Sequence, residues 1–138
     1  MRRLDQRGVA ALEFCIVAMA ILTLIYGILD LGRYMITMQS LRSLAGAGAR
    51  AAMINDCYTN AVLTKTTPTC SGDVYLTDAQ KRALVPFLYA NGGSPTLTTV
   101  TGGSAVTVTT SMAGFSMVFP SIWPSSFNSP SASTNIPF

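Results

Sequence analysis

A carboxylate set in an apolar run is the residue of this sequence with the most chemistry to explain. Glu13 is the one charged residue between Val9 and Leu29, a run otherwise interrupted only by Thr23, Tyr26 and Gly27. A charged side chain at the centre of a membrane helix costs about 2.5–3.5 kcal/mol on insertion scales. Glu13 sits a turn and a half inside one edge of the run, so its cost is smaller. Two accounts remain open. Glu13 reaches the headgroups or stays protonated, or it awaits a cation supplied by another chain or by processing, since intramembrane ionisable groups are usually paired. The other reactive pair is Cys57 and Cys70, with Cys15 left over inside the apolar run as a small apolar side chain.

The rest of the inventory excludes most catalysis. The chain has no histidine, which removes Ser-His-Asp and Cys-His catalysis and His-ligated zinc. Three cysteines cannot form a four-thiolate site, and the six acidic residues are scattered. No catalytic residue, metal ligand, cofactor or nucleic-acid partner is expected. Of the 138 residues, 49 % are hydrophobic and 11 % charged, whereas a soluble domain carries about a quarter charged residues. Mean hydropathy is +0.41. Part of the apolar surface must therefore face lipid, a partner or both.

Position along the chain assigns that surface. The 21 residues from Val9 to Leu29 span about 31 Å as a helix, the thickness of a bilayer's hydrocarbon core. Arg2, Arg3 and Arg7 precede the run and Arg33 alone follows closely, which predicts a cytoplasmic N-terminus. A cleaved secretory signal is the competitor, but its apolar stretch is only about 7–15 residues long. The small residues Ala45 to Ala52 also come too late for its cleavage site. No proline occurs from Asp30 to Ile54, and Met35, Met38, Leu41, Ala45, Gly48 and Ala52 recur at helical spacing. Arg33, Gln39, Arg42 and Arg50 are left for water. One helix from about Val9 to Ile54 is predicted, spanning lipid over 9–29 and standing clear of it over 30–54.

Beyond Asn55 the composition shifts to turn-forming residues, with Pro68 and Gly72 around the cysteine pair. A bridged loop of that size restricts the unfolded chain by about 3 kcal/mol on the chain-entropy model. The topology puts Cys57 and Cys70 in an oxidising compartment, which favours a disulfide over two unpaired thiols. Thr77 is a candidate N-cap for a short helix that Pro86 kinks or ends. Thr96 to Thr101 and Ala105 to Thr110 flank Gly102-Gly103 and read as a β-hairpin. Met112 to Trp123 is read as a third strand or a covering segment. Residues 55–124 form the outer domain, and 125–138, rich in Ser, Pro and Asn, an irregular tail. Only about 85 residues lie beyond the long helix, a small core by surface-to-volume scaling. The helix's outer half must therefore supply one wall. The fold class is α+β: a long N-terminal helix, half transmembrane and half exposed, packed on a small outer domain with a short helix and an antiparallel hairpin or small sheet.

The stretch Arg7-Gly8-Val9-Ala10-Ala11-Leu12-Glu13-Phe14 resembles the processing site of type IV prepilins: a basic leader ending in glycine, an apolar first mature residue and a glutamate at the fifth. Within that superfamily it is similar to the TadE-like proteins of the Tad (tight adherence, Flp-type) pilus system. Arg7-Gly8, Ala11, Glu13-Phe14, Gly27, Asp30 and Gly32-Arg33 stand in that family's register, as does the small-residue stretch Ala45 to Ala52. The likeness covers about residues 7–52. Met19 stands where many relatives carry proline, and Cys15 where alanine is common.

The resemblance implies a minor pilin or pseudopilin of the bacterial inner membrane, N-terminus cytoplasmic and outer domain periplasmic. Residues 1–8 would be a leader cut between Gly8 and Val9 by a prepilin peptidase. Glu13, with Phe14 beside it, would pair with the new Val9 amine of its own chain or of a neighbouring subunit. Gly27, Gly32, Gly46 and Gly48 would let helices approach closely, which in lipid drives association. Expected partners are the peptidase, other Tad pilins or pseudopilins, the inner-membrane assembly platform and the membrane. An uncleaved, signal-anchored envelope protein acting as scaffold or binding module is the alternative.

Overall fold

In the computed structural model, which describes residues 6–73, 75–119 and 122–138, the long helix α1 runs Gln6–Ile54 without interruption. It starts earlier than Val9, because nothing at Gln6–Gly8 forbids helical backbone. Three helices follow: α2 (Asp56–Thr64), α3 (Asp78–Leu84) and α4 (Pro86–Tyr89). The three strands are β1 (Thr96–Thr101), β2 (Ala105–Ser111) and β3 (Ser131–Pro137). They form one antiparallel sheet in the order β1-β2-β3. The architecture is α+β.

The two halves of α1 live in different surroundings. From Gly8 to Leu29 no side chain is buried against the rest of the chain. This half is apolar enough to cross a membrane and carries none of the burial expected of a soluble core helix. From Asp30 onward one stripe turns inward: Asp30, Thr37, Leu41, Leu44, Ala45, Gly48, Ala49 and Ala52 are buried. Arg33, Gln39, Arg42 and Arg50 lie on the exposed side. The apolar periodicity misplaces the lower part of this stripe. Met35 is 62 % exposed, because the helix instead turns Asp30 and Thr37 inward, where each carries hydrogen bonds.

Small residues let α1 lie close on the sheet. Leu41, Leu44, Ala49 and Ala52 pack with Leu97 of β1, Val106 and Val108 of β2, Ile136 of β3, and Val85 and Leu88 from the α3–α4 junction. At Gly48 an added Cβ would stand 2.7 Å from Leu97 Cδ1 and 3.2 Å from Val108 Cγ1. Thr110, buried beneath the helix, donates to the Leu41 carbonyl at 3.0 Å. The helix's outer half is thus a wall of the outer domain's core, not a stalk beneath it.

Two segments differ from the sequence reading. Residues 131–137 are strand β3, not part of an irregular tail. Ala132, Thr134 and Ile136 face inward while Ser131, Ser133 and Asn135 face out; the alternation is present but built from small residues that carry little hydropathy. Segment 56–64, read as turn-forming, is helix α2: Asn55 caps it by accepting from the Cys57 N–H, and Lys65 ends it in the left-handed region. Elsewhere local rules operate as read. Thr77 and Gln80 form a reciprocal capping box on α3, and Pro86 opens α4 at its first turn.

The outer domain is stapled along its rim. Cys57 and Cys70 are joined in a disulfide with Cα atoms 5.2 Å apart. Tyr58 donates to the Pro137 carbonyl, tying α2 to the end of β3. Gly72 pairs with Thr99 through two backbone hydrogen bonds, covering part of the outer edge of β1. Lys81, 5 % exposed, lies 2.6 Å from Asp73 and 3.3 Å from Asp78. Burial works to lower its pKa, but hydrogen bonds to the two carboxylates prevail and hold it above the ordinary lysine value.

Gly48→Leu forces a side chain into filled space and is expected to cost about 1–3 kcal/mol, the range for overpacking a core. Gly46→Leu, where a Cβ meets nothing within 4 Å, is the control and should not destabilise. Denaturant unfolding of the detergent-solubilised chain checks both; equal losses would contradict the packing described.

Candidate functional site

The residues read as a processing and pairing site lie on the uncovered half of α1. Gly8, Val9, Glu13 and Phe14 are all exposed. Arg2, Arg3 and Asp5, and with them most of the leader 1–8, lie outside the described residues. Val9 and Glu13 are four residues apart on one helix face, neighbours by helical geometry. Among the described residues Glu13 has no ion-pair partner. Phe14, 73 % exposed, projects from the same surface. A Cβ added at Gly8 meets nothing within 4 Å. No contact among the described residues asks for glycine there.

The four glycines read as helix-packing positions separate into two kinds. Gly48 faces its own sheet, so its close approach is intramolecular and it is not open to a neighbouring helix. Gly27, Gly32 and Gly46 face open space. The cysteine pair lies on the rim of the outer domain, on α2 and the loop after it, away from the apolar half of α1. Among the described residues no cluster of His, Cys, Asp or Glu could hold a metal ion.

The structure adds a second carboxylate at the other end of the apolar run. Asp30, 1 % exposed, accepts the Val118 backbone N–H at 2.9 Å and the Phe119 N–H at 3.3 Å on Oδ2. Arg33, one turn on, places a guanidinium nitrogen 3.7 Å from Oδ1. Asp30 therefore latches the segment between β2 and β3 onto α1. Aromatic rings close around the latch. Tyr26 meets Phe119 with centroids 5.6 Å apart, Tyr34 meets Phe127 at 4.7 Å and Phe115 at 6.3 Å, and Trp123 meets Phe127 at 5.9 Å. The Arg33 guanidinium lies 5.6 Å from the Phe115 centroid. Of the two sequence readings of Met112 to Trp123, the covering segment is the one found.

Sequence reasoning used Asp30 only as a matching position and missed its role. The available signal was its place: an acidic residue at the first position past an apolar run, where burial demands donors.

These features lie on a segment with a recognisable family pattern. Residues 8–50 match the family model described as TadE-like protein, the family whose likeness the sequence carries at Gly8, Glu13, Asp30 and Arg33. The match makes this segment similar to that family. It spans the long helix, while α2 to β3 lie beyond it. Comparison with curated proteins and with solved structures returns no match.

Removing the Asp30 carboxylate leaves two backbone donors without their acceptor. Asp30→Ala is expected to cost about 3 kcal/mol, since hydrogen bonds to a charged group are worth ~1.5–3 kcal/mol each and orphaned donors add a penalty. Asp30→Asn, which keeps one acceptor oxygen, should cost less. Hydrogen exchange at the Val118 and Phe119 amides reads the latch directly; unchanged protection in Asp30→Ala would rule it out.

Proposed function

We propose that this chain is a TadE-like minor pilin or pseudopilin, a non-catalytic subunit that a prepilin peptidase trims and that then packs against other pilins. The observation that carries the reading is Glu13, an acidic group on the lipid-facing half of α1 without an ion-pair partner among the described residues. It lies one helical turn from Val9, inside the segment that matches the family. Cutting the Gly8–Val9 peptide bond puts a cationic amine on Val9. That amine is the counter-charge an intramembrane carboxylate requires, supplied by its own chain or by a neighbour. A neighbour's amine also fixes the stagger between subunits.

The charge balance moves in the same direction. Losing residues 1–8 removes three arginines and one aspartate, so net side-chain charge falls from +3 to +1, with less to hold the N-terminus at the cytoplasmic face. Glycine at position 8 serves no packing among the described residues. A backbone that must unwind and lie in a protease cleft accounts for it. Gly27, Gly32 and Gly46 similarly leave gaps that only a partner helix would use. On this reading the N-terminus is cytoplasmic, the outer domain is periplasmic, and the partners are the peptidase, other Tad pilins or pseudopilins, and the inner-membrane assembly platform.

One observation favours the alternative of an uncleaved, signal-anchored envelope protein. The Gly8–Val9 bond lies within continuous helix from Gln6 onward, so cleavage requires local unwinding. Intact mass of the membrane-extracted protein separates the two. Loss of residues 1–8 in cells with a prepilin peptidase, and its absence in Gly8→Leu, is the expected result. A full-length native chain would favour the anchor.

Glu13→Leu should still insert and still be cut, yet no longer co-purify with the pilus assembly machinery. Normal assembly of that variant would remove Glu13 from its pairing role.

A further inference from the structure

The outer domain reaches back along α1 toward the membrane. Phe119 packs on Tyr26, four residues before Asp30, which is about 6 Å nearer the N-terminus along the helix axis. Tyr26 lies inside the apolar run that ends at Leu29. The segment latched by Asp30 therefore descends below the end of the predicted span. Beside Phe119 the exposed side chains include apolar ones: Val118 is 59 % exposed and Ile122 56 %. Trp123, next to Ile122 in the chain, is half-buried against Phe127, which sits on Tyr34, and Tyr26 is 48 % exposed.

We propose that Val118, Phe119, Ile122 and Trp123, together with Tyr26, form a second membrane contact, seated across the boundary between the hydrocarbon core and the interfacial layer of the leaflet on the outer-domain side. The occupant of this apolar face is lipid, because the face is continuous with the uncovered surface of the span. A bilayer's interfacial layers are each about 5–8 Å deep outside a hydrocarbon core of ~30 Å; with the span ending at Leu29, Tyr26 and Phe119 lie in the last turn of that core, and Arg33 and Tyr34 in the layer above it. The chemistry also fits the position. Tryptophan and tyrosine concentrate at headgroup level; the Trp123 Nε1 is itself buried, with no hydrogen-bond partner among the described residues, so its ring body and not its polar tip is what the membrane would meet. Arg33, its side chain 49 % exposed, stands about one turn above Asp30, within snorkelling reach of lipid phosphates. The seating rests on the membrane-spanning reading of 9–29 and not on processing or pilus assembly.

Trp123 is the chain's single tryptophan, so its fluorescence reports the segment without labelling. The test uses the full chain in phosphatidylcholine nanodiscs carrying doxyl groups at acyl carbon 5 or carbon 12. The expected result is quenching at least twofold stronger by the shallow label than by the deep one, with little quenching by aqueous iodide. In Val118→Asp/Ile122→Asp, both sites being exposed, the shallow quenching should fall by half or more and emission should shift to the red. A control with Met19→Trp in a Trp123→Phe background reads the middle of the span. If that control is quenched by the deep label while Trp123 responds only to iodide, the seating is wrong and the span stands. If the control is not quenched by either lipid, the span itself fails and the seating with it. Shielding of Trp123 from both iodide and lipid that disappears on dilution would assign the face to a second copy and overturn the proposal.

Discussion

The constraint on which this molecule depends is the sharing of one helix between two solvents. The 84 residues after Ile54 are too few to bury a sizeable core alone. They use Leu41, Leu44, Ala49 and Ala52 of α1 as a wall. The first half of the same helix buries no side chain from Gly8 to Leu29, meets Phe119 at Tyr26, and is apolar enough for lipid. Neither half contains a proline or another break, so the orientation of the sheet is fixed relative to the apolar segment by the rigidity of α1. A stalk-and-head protein could vary that angle; this one cannot without dismantling its core.

Asp30 makes the junction specific. A buried carboxylate is tolerated only when donors surround it, and here the donors are backbone N–H groups at Val118 and Phe119 with Arg33 nearby. The interaction joins residues 88 positions apart and holds the region between β2 and β3 against the helix. The ring contacts of Tyr26 and Tyr34 extend the same junction by one turn on either side. Two carboxylates thus mark the two ends of the apolar run with opposite fates. Asp30 is satisfied within the chain, while Glu13 has no ion-pair partner among the described residues.

The sequence made the architecture readable where physical signals were strong. Composition and the unbroken run to Leu29 give the apolar helix; capping residues and β-branched alternation give α3 and the hairpin. β3 went unread because Ala132 and Thr134 fill inward positions that hydropathy does not mark as core. The buried stripe of α1 was read correctly from Leu41 to Ala52 and wrongly at Met35. Below Leu41 the helix packs on a polar latch, and a periodicity argument counts only apolar residues. Gly48 was legible as a close-approach position, but its partner was not, since a glycine says how near another group comes and not which group it is. Asp30 needed tertiary information: its donors lie on a segment whose return to the helix no local pattern announces.

The two margins of the sheet are unlike its centre. Gly72 covers part of β1, and β3 presents Ser131, Ser133 and Asn135 outward between Pro130 and Pro137. Polar composition and flanking prolines discourage strand addition. Many copies crowded in one bilayer would thus have little invitation to polymerise through backbone ladders, a route that leads to aggregation. The apolar surface left uncovered is then that of α1 from Gly8 to Leu29.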